Sequence, residues 1–392
     1  MEGNSVGFQR ENSSVAASDV LEAIAAGEDI HLVRCQISGT LDLNVLASEN
    51  SPCSIDNLQL SKKNGVNEIV LRQSFFFNSC TFENDVFFAG SWEQPESLKV
   101  VFEKDVLFNS SVFGGQTRFS NAEFKGLAGF DGCTFCRVCS FRKTVFGGRA
   151  MFRTVAFEGY GLFNEAVFAG DTRFANSSFS KGVNYTQVRF QNSCDFSAVS
   201  SQSKAVPVYK DILFTRKYYG DDESFWRFIK QTCQEAGYYQ QAGDCFYLER
   251  CAYFWQKFRG LNYEKLSFGQ KLLRWIMAVR LLPELTFGRF LFGYGERPVR
   301  VLFAGAVIIL LCGLFYSSDF AHLAQGVDTK CNLSLFDGLY FSTITFTTLG
   351  LGDIYPAGDD WLTRMMTMLE SLCGICLITL FVVCLSKRFS RG

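Results

Sequence analysis

The chain is poor in the residues that most catalytic chemistry needs. It has 2 His and 6 Pro among 392 residues. So few histidines argue against a His-based metal site or a catalytic relay. No Ser/His/Asp set, phosphate-binding Walker loop or HExxH pattern appears, and no feature supports an enzyme. The net charge of −1 leaves no electrostatic footprint for nucleic acid. The N-terminal residues 1–14 hold no apolar core, so a secretory signal peptide is not expected. The bulk of the chain is then expected to stay in the cytoplasm, where thiols remain reduced. The 15 Cys are odd in number and scattered. The length leaves room for two or three domains.

What the chain has in excess is phenylalanine, 42 residues of it. From Phe77 to Phe196 these fall into register, with Tyr185 filling one gap. Phe108, Phe113, Phe119, Phe124, Phe130, Phe135 and Phe141 show the rule: spacings of five and six alternate, giving a repeat of eleven. Two residues before most of these aromatics stands a small or β-branched residue, as at Ser111, Thr117, Ala122, Ala128, Cys133 and Cys139. The stretch Ala89–Val101, with Pro95, breaks the register and reads as a loop inserted into one coil. Before the repeats, residues 1–17 are polar and read as loose, and Ser18 reads as the N-cap of a short helix. Strand-like alternation begins near Ile30.

This grammar resembles the pentapeptide-repeat family, in a variant that alternates five and six. The resemblance implies a right-handed β-helix over roughly residues 30–200, with two elevens, 22 residues, completing one coil. The large residue points inward and stacks on its copy in the next coil; the small one fills a corner. Both ends of such a stack need caps, and the helix at Ser18–Ala26 is the candidate for the first. Cys133-x-x-Cys136-x-x-Cys139 looks like half a zinc site. However, Cys133 and Cys139 occupy the small inward position, where Cys acts as an apolar filler, and no matching pair follows. Residues 77–196 hold 12 acidic and 12 basic residues, which argues against mimicry of DNA through an acidic surface.

Residues 201–298 read as a helical connector. An amphipathic helix starts at Ser224, with Phe225, Phe228 and Ile229 on its apolar face. A second spans Ala236–Phe258, with Phe246, Leu248 and Ala252 on its face. The pair is expected to cap the open end of the solenoid. Leu266–Leu291 carries Leu272, Leu273, Trp275, Ile276, Val279 and Leu282 on one side, but Arg274, Arg280 and Arg289 interrupt it. It is expected to lie along the inner membrane surface rather than to cross the bilayer.

Val299–Tyr316 has no charge after Arg300 and approaches the ~20 residues needed to span a bilayer. Trp361–Leu385 is a second such span. Arg297 and Arg300 flank the first, and Lys387, Arg388 and Arg391 follow the second. Basic residues at both outer flanks place both termini in the cytoplasm. Between the spans, an apolar helix-length stretch with small hydroxyl residues, Ser334–Thr347, leads into Thr347-Thr348-Leu349-Gly350-Leu351-Gly352-Asp353-Ile354-Tyr355-Pro356.

From about Arg297 onward the chain resembles the pore of two-transmembrane-helix potassium channels, TTVGYGD between two helices. The expected architecture is therefore a multidomain membrane protein. Its parts are a tail and capping helix (1–29), a pentapeptide-repeat β-solenoid (30–200), a helical connector (201–298) and a two-span pore (299–392). The pore divides into a first span at 299–318, a pore helix at 334–347, a filter at 348–353 and a second span at 361–385. The resemblance implies a homotetramer in a lipid bilayer, prokaryotic inner membrane by type, conducting K⁺ and needing no other cofactor. K⁺ would sit in carbonyl rings of Thr348, Leu349, Gly350, Leu351 and Gly352, the Thr348 hydroxyl adding one more ring. Asp353, Thr347, Tyr340, Phe341 and Glu370 would support the filter. Glu370 is an ionisable group inside a span and is expected to hydrogen-bond behind the filter. Gly374 stands near the middle of the second span, either as a bending point or as a site of close helix packing.

The sequence departs from the family at Leu351, where an aromatic is usual, and at Ile344, where some members carry Glu. Fewer hydrogen-bond donors then surround the filter, so selectivity for K⁺ over Na⁺ is expected to be softer, with Rb⁺ accepted. The alternatives are a weakly selective cation channel and a membrane-anchored repeat scaffold, though a plain anchor needs no such filter. Gly293-Tyr294-Gly295 contains the family tripeptide without a preceding Thr or an upstream span, and reads as a turn.

Overall fold

The computed structural model describes residues 7–47, 59–63, 65–90, 97–202, 207–215, 220–260, 263–325, 334–357 and 360–389. Pro95 and Arg391 of the sequence reading lie outside them. The chain divides into two compact units, Met1–Leu266 and Ser267–Gly392. The division falls inside the stretch read as one connector, separating its helical pair from its membrane-flanking part.

Among the described residues the first unit is a β-helix of short strands in four sheets, three of eight strands and one of six; all pair in parallel except the hairpin of Gln59–Lys63 with Val66–Leu71. Phe113 pairs with Phe135, Phe135 with Phe157, and Phe157 with Phe179. Each coil thus takes two elevens. The interior consists of four columns of stacked rings. In one, Phe130 lies 5.5 Å from Phe108 and 5.0 Å from Phe152, with near-parallel planes. Tyr185 continues another column on Phe163 at 5.5 Å. Adjacent columns meet edge to face, as Phe141 and Phe152 do at 5.3 Å, so each ring has both geometries that aromatic quadrupoles favour.

The five-residue corners turn through a residue of positive φ: Ser110, Asn121, Gly132, Lys143, Thr154, Glu165, Asn176, Gln187 and Ala198. The next residue is the small inward one, and where it carries a donor it uses it. Cys133 Sγ donates to the Phe108 carbonyl and Thr144 Oγ1 to the Phe119 carbonyl, both at 2.7 Å. Cys133 and Cys139 are fully buried. Burial pushes the Cys133 thiol up to about 12, which keeps it neutral and unsuited to metal binding. Among the described residues three coils are longer than 22 residues; the last, where Phe190 pairs with Phe214, takes 24, and the two longest lie near the start. Cys80 and Ser111 occupy matching positions 31 residues apart, which accommodates the insertion read at Ala89–Val101. Asp29 and Ser74 are linked 45 residues apart, an insertion that the sequence did not reveal.

The N-terminal end differs from expectation. Residues 8–16 are not loose: β1 (Phe8–Glu11) and β2 (Ser14–Ala16) pair in parallel with β3 (Ile30–Val33) and β4 (Gln36–Ser38). The first helix, α1 (Ala17–Ala26), begins one residue before Ser18, with Ala16 at the cap position and no side-chain cap. Backbone pairing on both sides of the helix fixes its start, so Ser18 lies inside it. Val20 and Ile24 of α1 are fully buried in the main core, and Gly27, with φ 76, ends the helix. β5 (Leu41–Asp42) precedes the single turn α2 (Asn44–Ala47).

At the other end, α3 (Glu223–Glu235) closes the stack. Phe225 meets Phe196 edge to face at 5.0 Å, and Phe228 lies nearly parallel to Phe196 at 6.3 Å. Gly237, with φ 80, stops α3, so α4 starts at Tyr239 rather than Ala236 and runs to Phe258. Its buried residues include Ala242, Cys245, Glu249 and Ala252, whereas Leu248 is exposed and Phe246 half-buried. The expected face was displaced by a buried carboxylate: Glu249 accepts from Arg227 Nε at 3.1 Å and from Lys230 Nζ at 2.6 Å.

In the second unit the stretch before the first span breaks into three pieces, α5 (Phe268–Met277), a 3-10 turn (Ala278–Leu281) and a π-helical turn (Glu284–Leu291). Pro283, which lacks an N–H, stands at the break. Leu272, Leu273, Trp275, Ile276, Val279, Leu282 and Phe290 are all exposed. Two long apolar helices follow, α6 (Pro298–Tyr316) and α8 (Trp361–Phe389), both long and apolar enough to cross a membrane. Between them lies α7 (Leu335–Phe346).

Removing one ring tests the stack. Phe141→Ala should lower the stability of the repeat unit by about 3–5 kcal/mol. Tyr160→Ala, at a half-exposed outward position, should stay within about 0.5 kcal/mol. Denaturant unfolding followed by circular dichroism distinguishes the two.

Candidate ion-conducting site

The site is built on the end of α7. Ser334 caps its start: Ser334 Oγ accepts from Asp337 N while the Asp337 carboxylate accepts from Ser334 N, a reciprocal capping box. Small residues let α7 sit close to both long helices. A Cβ on Gly338 would lie 2.5 Å from the Gly313 carbonyl oxygen, and one on Gly374 would lie 2.0 Å from that of Phe346. At Gly374 the structure shows the close packing that was one of its two expected roles.

The helix ends in a Schellman arrangement. Leu349 N donates to the Ile344 carbonyl at 2.9 Å and Thr348 N to that of Thr345 at 3.1 Å. Thr348, at the position where glycine is usual, has φ 59. The first residue of the predicted filter is thus also the residue that stops the helix. From there φ alternates in sign. Gly350 has φ 55 and Gly352 φ 79, while Leu349 and Leu351 are not among the positive-φ residues. A Cβ on either glycine would meet nothing within 4 Å. Backbone conformation, not crowding, is what demands glycine there. Leu349 and Leu351 are 67% and 64% exposed, so within one chain this loop is packed on one side only.

Tyr340 Oη donates to Asp353 Oδ2 at 3.0 Å, tying the end of the loop to α7. The predicted support residues Tyr340, Thr347 and Asp353 therefore lie around the loop. The contacts of Phe341 and Glu370 lie on the helices. Phe341 packs edge to face on Tyr316 at 4.9 Å. Glu370, 2% exposed, accepts from Tyr316 Oη at 2.8 Å and from Ser342 Oγ. Its carboxylate pins α8 to α6 and to the middle of α7 instead of bonding to residues 348–353. Neither Tyr316 nor Ser342 was singled out in the sequence. The only signal was that a carboxylate inside a span must find donors.

Beyond the loop, Ile354–Pro356 pairs antiparallel with Leu323–Gln325. His322 N donates to Thr363 Oγ1 at 3.1 Å, and its ring Nδ1 lies 3.1 Å from Asp360 Oδ2. Hydrogen bonds from Thr363, then from His322, hold the Asp360 carboxyl down at about 2. Among the described residues no group of three or more His, Cys, Asp and Glu could hold a metal ion.

Comparison with known proteins agrees with this geometry. Residues 301–391 match the ion channel family model, and residues 108–156 match the model of pentapeptide repeats. The chain joins an ion-channel domain to pentapeptide repeats. The ion-channel domain includes α7, the loop and α8, with nearly all of α6. A protein of Rhodopseudomonas palustris named "Putative potassium channel protein" is 30% identical over 131 residues, covering 32% of this chain and 31% of that one. The chain thus matches less than a third of that relative's length. No solved structure matches it significantly. Both matched families are of channel and repeat type, not of enzymes, and the ion-channel domain with two apolar helices makes this a membrane protein.

Gly374→Ala separates packing from bending by the sign of its effect. At a solvent-like or bending position, alanine should stabilise the helix by about 0.5–1 kcal/mol. Against the Phe346 carbonyl it should destabilise the pore unit by about 1–3 kcal/mol. Thermal unfolding of the detergent-solubilised protein should show the second outcome.

Proposed function

We propose that the chain is one subunit of a homotetrameric, potassium-selective channel that conducts K⁺ passively, with Thr348–Gly352 as its ion path. One observation carries the reading: φ is positive at Thr348, Gly350 and Gly352 and at neither leucine between them. In an extended strand successive carbonyls point to opposite sides. Alternating the sign of φ turns every second peptide plane over, so that successive carbonyls share one side. A ladder of carbonyls is what replaces the water shell of K⁺. Thr348 Oγ1 donates to the Thr347 carbonyl at 2.7 Å and still offers lone pairs to an ion. One loop cannot encircle an ion, and its exposed leucines call for neighbours, which a ring of four identical copies supplies.

The repeat unit is assigned to the cytoplasm, with both termini, since basic residues flank the outer ends of α6 and α8. Its role there is regulatory or structural. The exposed apolar residues of α5, interrupted by Arg274, fit a lipid interface. Leu351 supplies no hydroxyl to the surrounding support. Tyr340 retains one donor to Asp353, which favours real, though softened, K⁺ over Na⁺ discrimination with Rb⁺ accepted.

Gly350→Ala and Gly352→Ala should each abolish K⁺ current in reconstituted bilayers while the tetramer persists by native mass measurement. Wild-type current in either variant would remove the loop from the ion path.

A further inference from the structure

The turn before the first span contains a Gly-Tyr-Gly that the ion path does not use. Gly293–Gly295 is one 3-10 turn in which Tyr294 has φ 55 and Gly295 φ 87. Gly295 N donates to the Phe292 carbonyl at 3.0 Å and Glu296 N to that of Gly293 at 3.1 Å. The turn brings two acceptors to one distant cation. Lys387 Nζ lies 3.1 Å from Glu296 Oε1 and donates to the Tyr294 carbonyl at 3.1 Å. The Glu296 side chain is 9% exposed and that of Lys387 32%, so water screens this pair less than an ordinary surface ion pair. Glycine at 295 suits its φ, and it lies close to the latch: a Cβ there would stand 3.3 Å from both Cδ and Nζ of Lys387. Beside the polar contact, Leu291 and Phe292 pack on the cluster of Val301, Leu377 and Cys384.

We infer that Glu296 and the Tyr294 carbonyl form a latch on Lys387 that couples movement of residues 267–296 to the C-terminal end of α8. The inference rests on the pore reading above. Residues 267–296 are the covalent path from the repeat unit into α6, and Lys387 sits on the last turns of the helix that would line the pore. That end of α8 cannot move without either carrying the turn with it or breaking both contacts. A switch of this kind has two discrete arrangements, and whatever biases the 267–296 segment biases the opening of the pore.

Single-channel recording of the full chain in lipid bilayers tests the latch. Glu296→Gln removes the charge on one side; Lys387→Met removes both contacts and keeps the apolar stem. Each should shift the open-to-closed ratio by about fivefold or more, with unitary conductance and reversal potential unchanged. The double variant should resemble Lys387→Met alone, because both changes act through one contact. An unchanged open-to-closed ratio in the singles, or additive shifts in the double, would overturn the latch. If one single variant fails to assemble, the other decides alone, and normal gating in it would equally overturn the latch. A wild-type chain that passes no K⁺ would fail the pore reading instead.

Discussion

The membrane unit depends on how closely α7 can be seated. A short helix must lie between two long ones and deliver its chain to the loop at a fixed height. Three glycines permit the approach. Gly338 leaves room for the Gly313 carbonyl on one side, and Gly374 leaves room for the Phe346 carbonyl on the other. One carboxylate then fixes the position: Glu370 is held by Tyr316 of α6 and Ser342 of α7. A buried carboxylate with satisfied donors is costly to break, because losing one partner strands a desolvated group. The seat is therefore specific as well as tight. The Schellman end of α7 carries that specificity into the loop, since Thr348 both stops the helix and begins the alternation of φ.

The repeat unit solves a different problem with one residue type. Each coil buries its interior only against its neighbours, so stability accumulates along the stack and both ends must be closed. α1 closes one end with Val20 and Ile24. α3 closes the other with Phe228, nearly parallel to the last ring Phe196, and Phe225, edge to face with it. The electrostatics of α3 and α4 then follow from Glu249, whose two cations keep a buried charge paired.

How much of this was legible in the sequence depends on range. Four ring spacings add up to one coil of 22 residues, so the β-helix could be read directly from Phe108 to Phe196. The loop at 348–353 was legible through its resemblance to the potassium-channel pore, and glycine at alternate positions is what its backbone demands. The first coil was missed because β1 and β2 carry no repeat and are strands only through pairing with β3 and β4. The corners at Lys143, Thr154 and Glu165 were not legible either. Nothing in those side chains favours positive φ; the stack imposes it. Leu248 was placed on the wrong face because the buried face of α4 is centred on a carboxylate whose partners lie on another helix. The same holds for Glu370: that it needed donors followed from its position, but which donors did not. The pairing of Leu323–Gln325 with Ile354–Pro356 joins short segments that carry no strand pattern of their own.

A ladder of backbone carbonyls that sheds the water of K⁺ but not of Na⁺ is the central claim. It is tested most directly by the reversal potential of the purified protein in a planar bilayer, with K⁺ on one side and Na⁺ on the other. The account predicts a reversal potential displaced strongly toward the K⁺ equilibrium value, with Rb⁺ able to replace K⁺. A reversal potential near zero would contradict it and leave a cation channel without preference.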